Sequence, residues 1–183
     1  MHNNFFKQLS EYYHQEAQWS SDKYMPSFAE HVELSVMSSA YPALTMMALV
    51  GVHDGAAATV EAFEWLASMP DLVRASGEVA RFLNDKVKRN GTDIPSTVEC
   101  YMAEHGVGSE AAVAAVATLA EHAWRTINQA SIEVNHAWLL ATRLVVNLTW
   151  VLEVIYHHGQ DLYTFGTDNK AVVTNLFLNP VPV

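Results

Sequence analysis

Two tetrapeptides fix where helices must start. Ser27-Phe28-Ala29-Glu30 and Ser96-Thr97-Val98-Glu99 each place a serine three residues ahead of a glutamate. At that spacing the hydroxyl accepts from the third helical amide, and the carboxylate returns a bond to the cap residue's own amide. Around them the pattern is helical, and no run alternates apolar and polar residues between turn signals. The chain therefore reads as all-α. The predicted helices cover 5–19, 27–40, 42–49, 59–68, 70–85, 95–105, 109–128, 132–158 and 170–178. Pro42 forces a kink or restart after residue 40, and Gly106–Gly108 stop a helix. A basic, Gly-containing break is expected at 86–93.

The 183 residues amount to one domain. Half of them are hydrophobic and 16% charged, which argues against disorder. A net charge of −10 argues against a nucleic-acid surface, but a bound cation could still bring an anionic substrate to the chain. The single cysteine, Cys100, fits a reducing compartment and a small buried position. No targeting segment is read at 1–9. The most membrane-like stretch, 137–156, is interrupted by Arg143, Asn147 and Glu153. Those residues are costly in lipid, so a helix buried in a soluble bundle is expected. The tryptophans Trp19, Trp65, Trp124, Trp138 and Trp150 read as core. The nine histidines form no H-E-x-x-H arrangement, and no histidine metal site is expected.

The run Arg81-Phe82-Leu83-Asn84-Asp85, then Ile94-Pro95-Ser96-Thr97-Val98-Glu99-Cys100-Tyr101-Met102-Ala103-Glu104-His105-Gly106, resembles the second metal-binding region of plant class I terpene synthases. In that family (N/D)-D-x-x-(S/T)-x-x-x-E precedes a helix close to S-T-V-E-C-Y-M-x-E-H-G. Further segments agree in order: Gln15-Glu16-Ala17-Gln18-Trp19, Tyr24-Met25-Pro26-Ser27-Phe28-Ala29-Glu30, Glu61-Ala62-Phe63-Glu64-Trp65-Leu66, Leu72-Val73-Arg74-Ala75-Ser76, His122-Ala123-Trp124-Arg125-Thr126-Ile127-Asn128 and the terminus Leu178-Asn179-Pro180-Val181-Pro182-Val183. The resemblance implies a class I terpenoid synthase helical bundle in part. Residues 1–183 then correspond to the carboxyl-terminal part of the metal-binding α-domain.

It also implies a chemistry. Members ionise a prenyl diphosphate with Mg²⁺ (or Mn²⁺), the metal acting as Lewis acid and template. An aromatic-lined dry pocket then steers the cation. By resemblance, Asn84 is the first metal ligand and Asp85 the adjacent aspartate of the metal motif, with a supporting or structural role there rather than direct ligation. Arg81 contacts the diphosphate. Ser38-Ser39-Ala40-Tyr41 line the cavity at a broken helix, and Tyr156, Asp161 and Tyr163 form the pattern that closes over the pocket. Geranyl or farnesyl diphosphate is the expected substrate, in cytoplasm or plastid, with neither nucleic acid nor membrane as partner.

The same comparison exposes gaps. Lys88 and Thr92 stand where Ser/Thr and Glu ligands belong. An ammonium repels a dication, and a lone hydroxyl is a weak ligand. The spacing from Asn84 to the Ser96 segment is shortened by about one helical turn, roughly four residues. No Asp-Asp pair occurs for the family's first metal motif, and no R-x-R. The expectation is an incomplete metal site, no turnover by this chain alone, and an apolar face open to self-association. The alternative is a non-catalytic helical module that binds a full-length synthase or an isoprenoid.

Overall fold

The computed structural model describes residues 3–52, 58–87, 94–156, 159–164, 166 and 170–178. Every regular element among them is helical: α1 (Asn3–Asp22), α2 (Phe28–Ser38), α3 (Tyr41–Val50), α4 (Val60–Ala67), α5 (Asp71–Val87), α6 (Thr97–His105), α7 (Ser109–Glu133), a 3₁₀ turn (His136–Trp138), α8 (Leu139–Ile155) and α9 (Lys170–Phe177). Both capping boxes form, Ser27 with Glu30 and Ser96 with Glu99. Thr59 caps α4 through the Ala62 amide. Gly106 ends α6 with φ 64°, a left-handed conformation that glycine adopts without penalty.

The bundle is organised around α5, which packs against α2, α3, α6, α7 and α8. Its buried side chains include Leu72, Val73, Ala75, Val79, Phe82 and Leu83. Opposite them α7 presents Ala112, Val116, Ala120, Ala123 and Ile127. That spacing draws one narrow stripe of mostly small side chains and lets the helices approach closely. Where α5 passes the end of α2 the approach is closer still. A Cβ on Gly77 would lie 2.8 Å from Val36 Cγ1 and 3.2 Å from the Val36 carbonyl oxygen. Ser76 and Thr149, both fully buried, share a 2.7 Å hydrogen bond that ties α5 to α8.

Several expectations are corrected. Helix α5 runs on through Val87 rather than ending at Asp85, and the remainder of the predicted 86–93 break, 88–93, lies outside the described residues. The long helix predicted for 132–158 is divided. Helix α7 extends to Glu133, Val134 turns extended, and the Asn135 side chain caps a 3₁₀ turn through the Ala137 amide. Helix α8 buries one face, Ala141, Thr142, Val145, Thr149 and Leu152, instead of being enclosed. The 3₁₀ turn and α8 together, His136–Ile155, are long and apolar enough to cross a membrane. Trp150, Val151 and Val154 stand exposed on this helix. None of the five tryptophans is fully buried. Trp65 stacks on Trp138, and the Trp124 indole N–H, beside Trp150, donates to Glu153. A large ring with a polar edge settles at the rim of a core built from smaller side chains. Cys100 is fully buried, as expected.

Candidate functional site

The break between α2 and α3 comes from local chemistry. The Ser39 hydroxyl donates to the Val36 carbonyl at 2.6 Å and accepts the Tyr41 amide at 3.2 Å. This drains hydrogen-bonding capacity from the helix end. Ala40 then takes φ 62°, ψ −2°, a left-handed conformation that costs an L-residue about 1–2 kcal/mol. Pro42, in the first turn of α3, is tolerated because the missing N–H would be unpaired there anyway. Residues 38–41 thus form the interrupted helix that the sequence pointed to, but they do not share one environment. Ser38 is buried among polar partners, while Tyr41 is half-buried.

Across from this break, α5 delivers Arg81, Asn84 and Asp85. The Arg81 Nη2 donates to Glu16 Oε1 at 2.9 Å and to Ser38 Oγ at 3.1 Å, and Nη1 stands 3.6 Å from Asp85 Oδ1. Ser38 Oγ in turn donates to Glu16 Oε1 at 2.5 Å. Asp85 Oδ2 accepts from the Thr97 amide at 2.6 Å, from the Thr97 hydroxyl at 2.7 Å and contacts His31 Nε2 at 3.4 Å. Thr97 is the first residue of α6, so the carboxylate also sits at that helix's positive end. Burial alone would raise the Asp85 pKa. The His31 contact, the Arg81 charge and both Thr97 donors outweigh it and pull it from 3.8 to about 2. At 3% exposure, with Oδ2 engaged three ways, this carboxylate acts as a bolt between α5, α2 and α6, while Oδ1 faces Arg81 at 3.6 Å and accepts no hydrogen bond among the described residues. Asp85 thus takes the structural role, its second oxygen buried against Arg81.

Asn84 faces a different neighbour. Its Nδ2 donates to the Tyr156 hydroxyl at 2.8 Å. That bond engages the amide nitrogen and leaves the oxygen as the half able to ligate a hard cation. Burial, then the nearby Asp161 and Asp85 charges, push the Tyr156 phenol above its usual pKa, against the opposing Asn84 bond and Arg81 charge. Burial and the neighbouring Tyr156 likewise raise that of Tyr41. Tyr41, Asn84 and Tyr156 therefore form a half-buried patch that stays neutral well above pH 7. Among the described residues, no group of three or more His, Cys, Asp or Glu side chains is placed to hold a metal. Asn84 contributes one suitable oxygen, so the described residues do not by themselves fit a complete metal shell. Lys88 and Thr92 lie outside them.

The rest of the predicted closing pattern is placed less centrally. Asp161 lies close enough to Tyr156 to influence it, but its carboxylate is bound to the amides of Tyr163 and Thr164 and to the Thr164 hydroxyl. It orders its own turn. Tyr163 is 80% exposed. Sequence reading missed Glu16, His31 and Thr97 as members of the polar cluster. Glu16 and Thr97 lay inside matched segments. His31 carried only the signal of a histidine on the apolar side of α2, beside buried Val32 and Ser35.

Residues 1–126 match the metal-binding domain of the terpene synthase family. Eudesmanediol synthase from Zea mays is 49% identical over 180 residues, covering 96% of this chain and 32% of that protein. Alpha-copaene synthase from the same plant is 39% identical over 183 residues, covering 97% and 34%. Abietadiene synthase from Abies grandis superposes with a TM-score of 0.85 at 25% identity, over 99% of this chain and 24% of that one. Isoprene synthase from grey poplar, in complex with three Mg²⁺ ions and dimethylallyl-S-thiolodiphosphate, gives 0.74 at 23% identity over 84% and 30%. The chain spans about a third of the length of the curated relatives it matches.

Proposed function

The chain belongs to the terpene synthase family, and from that premise we propose that it supplies part of a divalent-metal-dependent site that ionises a prenyl diphosphate, geranyl or farnesyl. The observation carrying this reading is the convergence of Arg81, Asn84 and Tyr156 beside the broken α2–α3 helix. Arg81 supplies a cation for the departing diphosphate. Asn84, oriented by Tyr156, presents its amide oxygen to the metal. Tyr41 and Tyr156 contribute aromatic faces that favour positive charge, and Tyr156 stays protonated beside it. Mg²⁺ is the proposed ion, by likeness to the Mg²⁺ complex of isoprene synthase; Mn²⁺ is the alternative. When bound, it supplies Lewis-acid chemistry.

Because the chain offers Asn84 without further motif ligands, the native 84–96 spacing gives an incomplete metal site. The test is a chimera in which residues 1–183 replace their counterpart in eudesmanediol synthase, assayed with geranyl and farnesyl diphosphate, Mg²⁺ and gas chromatography. The native segment is expected to give no terpene product. Lengthening it by one turn to place Ser and Glu four and eight residues after Asn84 is expected to yield product. Product from the native chimera would refute the incomplete site. A folded, repaired chimera without product would refute the proposed function.

A further inference from the structure

Arg81 is held more tightly than an arginine that simply reaches for an anion. Its side chain is 18% exposed and that of Glu16 is 10%. Three atoms form a closed triangle: Arg81 Nη2 donates to Glu16 Oε1 and to Ser38 Oγ, and Ser38 Oγ donates to the same Glu16 oxygen. Both Nη2 hydrogens are thereby used. On the opposite side Nη1 stands 3.6 Å from Asp85 Oδ1 without a hydrogen bond, and among the described residues Nε is buried with no partner. A buried donor left unpaired is costly, and a guanidinium carries five donors in one rigid plane. Fixing Nη2 therefore fixes the plane and decides which donors remain.

We infer that Glu16, acting with Ser38, is a positioning residue that sets the plane of the Arg81 guanidinium and leaves Nη1 as the donor for a diphosphate oxygen. The inference rests on the diphosphate reading above. Glu16 comes from α1, so the device also makes the anion-binding arginine dependent on the first helix of the chain. Ser38 is accordingly a member of this clamp and not a cavity wall.

The test titrates inorganic pyrophosphate with Mg²⁺ into the ¹⁵N-arginine-labelled 183-residue chain, following the Arg81 Nε–H resonance. Glu16→Gln is expected to weaken pyrophosphate by about tenfold, the loss of roughly one charge-assisted interaction. Glu16→Asp, which keeps the charge, should recover part of it. In an Arg81→Gln background, with binding followed by calorimetry, Glu16→Gln should add nothing, because its effect runs through the guanidinium. Equal affinity for wild type and Glu16→Gln overturns the positioning role alone. So does an undiminished Glu16→Gln effect in the Arg81→Gln background. Where the wild-type chain binds no pyrophosphate, the same variants are read in the chain with the lengthened, Ser- and Glu-bearing segment, and no binding there overturns the diphosphate reading and this inference with it. Should Glu16→Gln not fold, Ser38→Ala reads the same clamp, and wild-type affinity in that variant overturns it.

Discussion

Replacing Asp85 with asparagine should cost about 3–5 kcal/mol, the range for breaking a buried ion pair. The charge accounts for part of this. A carboxyl held at about pKa 2 instead of 3.8 is stabilised on folding by about 2 kcal/mol at neutral pH. The amide then adds a mismatch. One carboxylate oxygen receives Thr97 N–H, Thr97 O–H and His31, and the other faces Arg81. Whichever way the amide is turned, its NH₂ confronts a donor or a guanidinium, a further cost of about 1–3 kcal/mol. For a chain of this size the melting temperature should fall by about 10 °C. Because the folded pKa is depressed, the charge contribution is complete above pH 3.8 and disappears as pH falls through about 2. Urea unfolding followed by circular dichroism at pH 6 and pH 3 should show the gap between wild type and Asp85→Asn narrowing by about 1 kcal/mol at the lower pH. A gap under about 1 kcal/mol at pH 6, or an equal gap at both pH values, refutes this account of Asp85.

Two further substitutions probe the α2–α3 junction. Ala40→Gly should stabilise the chain by about 1 kcal/mol in thermal unfolding, since φ 62° carries no penalty in glycine; a lower melting temperature would argue against a strained break. Gly77→Ala brings a Cβ to 2.8 Å from the stiff, buried Val36. Overpacking of about 1–3 kcal/mol should outweigh the gain of up to about 1 kcal/mol in helix propensity. A more stable variant by calorimetry would show that α2 can shift.

Local chemistry made much of the fold readable. Ser27, Ser96, Gly106 and Pro42 act on their own neighbours, and each starts, ends or restarts a helix where the sequence placed it. The division expected at 129–131 falls later, at Val134, because the cap that turns the chain, Asn135 onto Ala137, is a single polar side chain. Within the site, Arg81 and Asn84 were readable from a motif, but their partners were not. Glu16 lies 65 residues from Arg81, and Tyr156 lies 72 from Asn84. A motif records which residues occur and leaves open which of them meet across the bundle. The same limit applied to Asp85, whose environment is set by His31 and Thr97.

The link between Asp85 and Thr97 also bears on how such a chain can vary. It clamps the end of one helix to the beginning of the next across twelve residues. The helices are registered by that clamp rather than by the length of chain strung between them. Closing a somewhat longer or shorter stretch changes the entropy by only about 0.6 kcal/mol per doubling of length. Insertions and deletions between these anchors are therefore nearly neutral for the scaffold. They can remove a reactive side chain in one step or restore it in another, so this stretch can gain or lose chemistry while the bundle around it persists.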